Sequence, residues 1–257
     1  MDLKLEIRIF ILLLILQAAF AQGTGIRDNS FLIEEGYNQE RGMVQHILTH
    51  HTDWATREEA QAVTDFAFTQ EWPIVGQWFQ ASFTLPFATQ FKGGELHFRY
   101  QLMREPKSEY SVAPRLSLLL DYDSDLDLRN MLGYQFNLPI SRELDRKRMI
   151  HANLGATFQP PPFGSSQYWS DGTVVYNAGA SGIYAFAPIV HGMLEVLTYS
   201  GEDMAPYYIV NPGLRYAFNA SLGTQWVFGT GIPIQFRSKI DTYGLFLYLS
   251  LEHSFLK

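Results

Sequence analysis

Leu96-His97-Phe98-Arg99-Tyr100-Gln101-Leu102 alternates without a break: apolar side chains at 96, 98, 100 and 102, and His, Arg and Gln between them. Neighbouring side chains of a β-strand point to opposite faces, so this stretch has one oily face and one polar face. The same pattern precedes it at Phe79, Ala81, Phe83 and Leu85, interleaved with Gln80, Ser82 and Thr84. It follows at Leu116, Leu118 and Leu120, at Leu128 and Leu132 to Leu138, and at Ile150 to Phe158, with Leu119 and Asn130 as exceptions. It continues through Val174 to Phe186, Val190 to Val196, Tyr208 to Phe218, Trp226 to Ile232 and Leu245 to Phe255. Two weaker segments, Val44 to His51 and Ala62 to Gln70, precede all of these, with Phe66 and Phe68 on the apolar face.

From Phe79 onward the apolar face of these segments holds no Asp, Glu, Lys or Arg, and its one ionisable residue is His253. The other face collects Arg99, Arg115, Arg129, Arg215, Glu195 and Glu252 among Gly, Asn, Gln and Ser. A charge turned toward hydrocarbon at mid-depth costs about 2–4 kcal/mol, so lipid would impose this one-sided exclusion. A soluble sandwich also alternates, but its polar face is rich in Lys and Glu, which these strands are not. No apolar run after the N-terminus is long enough for a membrane helix, and an open sheet edge does not survive in lipid. The pattern therefore predicts an all-β fold, a closed antiparallel transmembrane β-barrel of about 12 strands, an even number as in single-chain bacterial barrels.

At the N-terminus, Lys4 and Arg8 precede the apolar run Ile9–Leu16, and Ala19-Phe20-Ala21 follows. That order predicts a signal peptide over 1–21, cut after Ala21, and a short membrane anchor is the lesser alternative. Residues 22–42 are then expected as an N-terminal periplasmic segment and 43–257 as the barrel, placing the chain in a bacterial outer membrane. The chain has no cysteine, which excludes disulfides, zinc–thiolate sites and a Cys nucleophile. Its net charge of −7 argues against a nucleic-acid partner.

With both termini periplasmic, periplasmic turns are expected at Glu71–Gly76, Arg104–Tyr110, Pro139–Arg146, around Pro188 and near Ala220–Ser221. Outer loops are expected at Thr52–Glu59, Pro86–Gly93, Asp121–Asp127, Gln159–Gly172, Ser200–Ala205 and Pro233–Lys239, the longer set on the outside as in known barrels. Phe79, Phe136, Tyr184, Phe186, Phe218 and Phe255 suit an interfacial aromatic girdle. The last strand resembles the C-terminal assembly signal of outer-membrane proteins, with Phe255 two residues early.

The stretch Ser30-Phe31-Leu32-Ile33-Glu34-Glu35-Gly36-Tyr37-Asn38-Gln39-Glu40 resembles the opening of a family of outer-membrane transporters related to the meta-pathway of phenol degradation. The likeness extends to Phe68–Pro73, Tyr100–Leu102 with Ala113–Ser117, Asn137–Ser141, Asn211–Arg215 and Tyr248–His253. It implies passage of small hydrophobic or aromatic compounds and supplies no catalytic residues.

The candidate site is the lumen charge set Arg99, Arg115, Arg215, Glu195 and Glu252. Paired across the lumen, these groups either hold the barrel closed or form a constriction that selects solutes by charge. Gly179, Gly213, Gly229 and Gly231 remove bulk from the wall and open space or permit bending. Other chemistry is weaker. Asp121–Asp127 resembles a calcium loop but has Leu126 and Leu132 where Gly and Glu belong; it reads as a solvated loop, or one bridged by divalent ions to lipopolysaccharide. His50 and His51 point apart on a strand and do not share a metal with Asp53. Neither cofactor nor metal is expected. The functional expectation is a monomer for passive passage or binding of a small solute, with lipid, lipopolysaccharide and the barrel-assembly machinery as partners. The alternatives are a plugged structural barrel and a lipid hydrolase, the latter needing a Ser partner for a residue such as His151 from another strand.

Overall fold

The computed structural model describes residues 30–55, 62–87, 93–121, 132–159, 161, 172–202, 204–221, 224–238 and 241–255. The regular elements among them are all strands: β1 (Met43–Ala55), β2 (Val63–Val75), β3 (Phe79–Phe87), β4 (Gly93–Tyr100), β5 (Ser111–Val112), β6 (Arg115–Asp121), β7 (Leu132–Asp145), β8 (Arg148–Gln159), β9 (Thr173–Ala187), β10 (Val190–Gly201), β11 (Met204–Ser221), β12 (Thr224–Gly231), β13 (Ile234–Phe236) and β14 (Thr242–Ser254). The signal peptide, the acidic run after Asp121 together with Arg129, and most of the proline-rich loop after Gln159 lie outside the described residues.

Each strand pairs antiparallel with its neighbours, and β14 returns to β1 from Met43↔Ser254 to Ala55↔Thr242. The sheet has no free edge there, as lipid demands. Because β13 continues β12 across Ile232-Pro233, and β5 continues β6 across Ala113-Pro114 along β7, the wall among the described residues has the expected twelve strands.

Burial is inverted relative to a soluble protein. Gln80, His97, Arg99, Ser117, Asn137, His151, Asn153, Glu195, Asn211 and Arg215 are buried, whereas Leu96, Phe98, Leu116, Leu154, Leu194, Leu214 and Phe228 are exposed. The polar face thus lines the lumen and the apolar face forms the outer belt, as the alternation predicts. Stacked outer aromatics such as Phe79–Phe98 and Phe218–Phe228 extend across neighbouring strands. Strand β1 adds His46 and His50 to the outer face; His46 lies 3.2 Å from His253 between ring nitrogens, and His50 stacks on Phe66.

Pro139 does not begin a turn, as the sequence suggested. Strand β7 runs through it to Asp145, and the turn is confined to Arg146 and Lys147. Pro139 instead sits beside the break between β6 and β5, where Ala113 donates its N–H to the Pro139 carbonyl at 3.3 Å. Pro212 in β11 likewise sits beside the β12–β13 break, its carbonyl accepting from Ile232 N–H at 3.0 Å. A residue with no N–H to give is tolerated where a ladder is interrupted. Around Pro188 the expected tight turn is present, closing β9 onto β10.

Candidate functional site

Residues 30–42, expected in the periplasm, are hydrogen-bonded to side chains that line the lumen and cross it as a plug. Its anchor is Glu195 of β10, which has no exposed surface. One oxygen of this carboxylate accepts the backbone N–H groups of Phe31, Leu32 and Ile33 at 3.0, 2.8 and 3.1 Å. Asn211 Nδ2 donates to the other oxygen at 2.6 Å. Consecutive N–H groups turned to one side form a concave anion seat, and here the wall supplies the anion and the plug supplies the seat.

The next residues carry charge. Glu34 pairs with Arg115 Nη2 at 2.8 Å and Arg99 Nη2 at 3.3 Å, and accepts from Asn137 Nδ2 at 2.6 Å. Glu35 pairs with Arg99 Nη1 at 3.2 Å, and that same nitrogen donates to the Tyr37 carbonyl at 3.2 Å. With its amide turned to satisfy both groups, Asn153 donates to the Glu34 carbonyl at 2.9 Å and accepts the Glu34 N–H at 2.7 Å. Buried charges need partners and hydrogen bonds together; the plug supplies carboxylates to both arginines, and Gln135 of the wall accepts from Arg115.

Toward the barrel end at which β1 begins and β14 finishes, amides and hydroxyls of the wall hold the plug backbone. Gly36 N–H donates to Ser141 Oγ at 2.6 Å, and its carbonyl accepts from Gln101 Nε2 at 2.7 Å. A Cβ at Gly36 would stand 2.3 Å from the Ser111 carbonyl oxygen, so only glycine fits this approach. Asn38 and Gln39 give their N–H groups to Gln101 and Gln80, each at 2.7 Å. At the other end of the plug, Ser30 Oγ donates to Ser181 Oγ at 2.6 Å.

Apolar plug side chains enter notches in the wall. The Phe31 ring lies against Gly213 and Gly229, with centroids 5.3 Å from Phe246 and 5.5 Å from Tyr248. The Ile33 Cδ1 atom occupies the space that a side chain at Gly179 would need. Three of the four glycines singled out in the sequence therefore make room for the plug; Gly231 faces the Asn211 amide.

The predicted site residues divide accordingly. Arg99, Arg115 and Glu195 converge on the plug, and the acids that pair with the two arginines are Glu34 and Glu35 rather than Glu195 or Glu252. Arg215 is buried and donates to His191 Nδ1 at 3.1 Å. Glu252 lies apart, on the lumen face of β14 near the chain end, in register with Gln45 and Gln225. Sequence reasoning allowed a plugged barrel but did not place the plug in residues 30–42 or give the wall amides their partners. The signal lay in an acid pair and a large aromatic ahead of the first strand, matching the arginines and wall glycines far along the chain.

Beyond the plug, on the side away from the Met43–Ser254 pair, lies a cavity of about 170 Å³. Leu32, Ile33 and Glu34 of the plug form part of its lining, with Arg115, Gln135, Asn137, Asn177, Leu197 and Tyr199 from the wall. Gln135 accepts a hydrogen bond from Arg115 and donates to Thr157. Next to it, Tyr199 stacks on Tyr207 at 5.0 Å, and Arg237 lies over the Tyr207 ring at 4.8 Å.

Two Ser–His contacts bear on hydrolysis. Ser141 Oγ lies 2.6 Å from His151 Nδ1, but His151 Nε2 has no hydrogen-bond partner to orient the ring. Ser117 Oγ lies 2.8 Å from His97 Nδ1, and the other ring nitrogen is 3.4 Å from Glu95. Ser117 has no exposed surface, so this group presents no nucleophile to a substrate. His50 and His51 point apart as expected: His51 Nε2 lies 3.0 Å from Asp53 Oδ1, and His50 bonds Thr52 on the outer face.

No family model and no curated protein sequence matches the chain. Solved structures do. An outer-membrane channel from Pseudomonas putida F1 aligns with a TM-score of 0.56 at 12% identity, over 89% of this chain and 100% of the channel. A NanC porin gives 0.52 at 9% identity over 78% and 98%, and a KdgM porin 0.51 at 11% over 81% and 99%. At these identities the shared property is the fold, the closed antiparallel barrel of outer-membrane channels and porins.

Proposed function

We propose that this chain is an outer-membrane channel for passive passage of small solutes past a displaceable plug. One observation carries the reading. The lumen is crossed by residues 30–42, which are not part of the wall and are held by hydrogen bonds and ion pairs rather than by strand pairing. Such a segment can leave its seat without breaking the barrel. The porins and the channel of the same fold favour passage over catalysis. The resemblance to the phenol meta-pathway transporters favours small aromatic compounds as cargo. A plugged barrel with a structural role is the second reading, favoured by how completely Glu195 is satisfied.

Conductance in planar bilayers tests this. The wild-type protein is expected to give brief, small steps. Glu195→Ala, which removes the acceptor for three plug N–H groups, is expected to lengthen the open time while retaining the heat-modifiable migration of a folded barrel. Silence from both proteins, with both folded, would establish the structural reading instead.

A further inference from the structure

We propose that the cavity beyond the plug binds a small organic monocarboxylate, and that its carboxylate competes with Glu34 for Arg115 and loosens the plug. This rests on the channel reading and names its solute class. The two ion-paired arginines of the plug differ in access. Arg99 and Glu35 are each 6% exposed at the side chain, whereas Arg115 and Glu34 are 16% and 20% exposed and both line the cavity. The second pair is the more accessible of the two and borders the cavity.

The wall around that pair suits a carboxylate. A guanidinium presents a planar fork of donors that matches one, and the amide of Asn137 already donates to a carboxylate oxygen of Glu34. An incoming carboxylate would inherit these donors. Leu32, Leu197 and Tyr199 add hydrocarbon and a ring to the cavity, whose lining is otherwise mostly polar. Its volume of about 170 Å³ is well below the roughly 300–1,000 Å³ of drug-sized sites, which limits the occupant to one ring or a short chain. A neutral solute of the same shape has nothing with which to displace Glu34. Because Glu34 also holds Arg99 and Asn137, loss of its Arg115 contact weakens the centre of the plug.

Benzoate and its neutral counterpart benzamide are the probes, titrated calorimetrically into the folded full-length protein and then added to bilayer recordings. Benzoate is expected to bind saturably, at least tenfold more tightly than benzamide, and to lengthen open times. Arg115→Gln should weaken benzoate at least tenfold, Arg115→Lys should restore part of the loss, and Glu34→Gln should tighten binding several-fold by removing the competing charge. Equal binding of the two probes, or benzoate binding that leaves open times unchanged, overturns the proposal. If Arg115→Gln fails to fold, the contrast between probes on the wild-type protein decides alone. Channel steps without benzoate binding would remove this inference and leave the channel reading intact, whereas benzoate binding to a silent barrel would remove the channel reading.

Discussion

Gly229 would carry its Cβ 2.3 Å from Phe31 Cζ, and Gly213 would carry one 2.8 Å from the same ring. The contact is with an aromatic ring wedged between Phe246 and Tyr248, which has little room to give way. Gly229→Val is therefore expected to expel Phe31 and destabilise the plugged state by about 2 kcal/mol, in the range of overpacking. In urea unfolding from lipid vesicles, Gly229→Val combined with Phe31→Ala should lose less than the sum of the single changes, because the two residues share one space. Additive losses would mean that the glycine serves the wall alone. The lumen face of Gly229 was legible from the alternation, and so were the lumen positions of Arg99, Arg115 and Glu195. Their partners were not. Alternation reports which face a side chain takes, but carries no information on what crosses the space in front of it.

At the scale of elements, strand existence followed from period-two patterning while strand ends did not. Pro139 looked like a break, whereas the alternation ran on through Pro212; each lies within a long strand beside a neighbour that is itself broken. A single strand's sequence cannot show that, because the accommodating gap lies on another strand. The plug was hidden for a related reason: its backbone makes no ladder, so Ser30–Glu40 has no period to detect. Its docking can be tested covalently, since Ser30 Oγ and Ser181 Oγ lie 2.6 Å apart and the chain has no native cysteine. Ser30→Cys with Ser181→Cys is expected to form a disulfide on oxidation, silence the channel steps, and regain them on reduction. Conductance unaffected by the oxidised link would show that solutes pass with the plug in place.

The whole molecule is a polar interior inside an apolar belt, and the belt has its own test. Leu154, 58% exposed in the middle of β8, faces outward. Leu154→Arg should cost about 2–4 kcal/mol in a bilayer, measured by urea unfolding from vesicles, with a smaller effect in detergent; equal stability of the variant in both would contradict a lipid-facing position. The plug has a consequence for the order of events in biogenesis. Residues 30–42 precede β1, yet their hydrogen-bonding and ion-pair partners arrive with β3, β4, β6, β7, β8, β9 and β10, and the Phe31 notch is completed only by β11, β12 and β14. A newly made chain therefore carries a stopper whose socket has not yet been produced. The earliest piece must wait beside its own growing cylinder until the last staves arrive, and is enclosed as β14 meets β1.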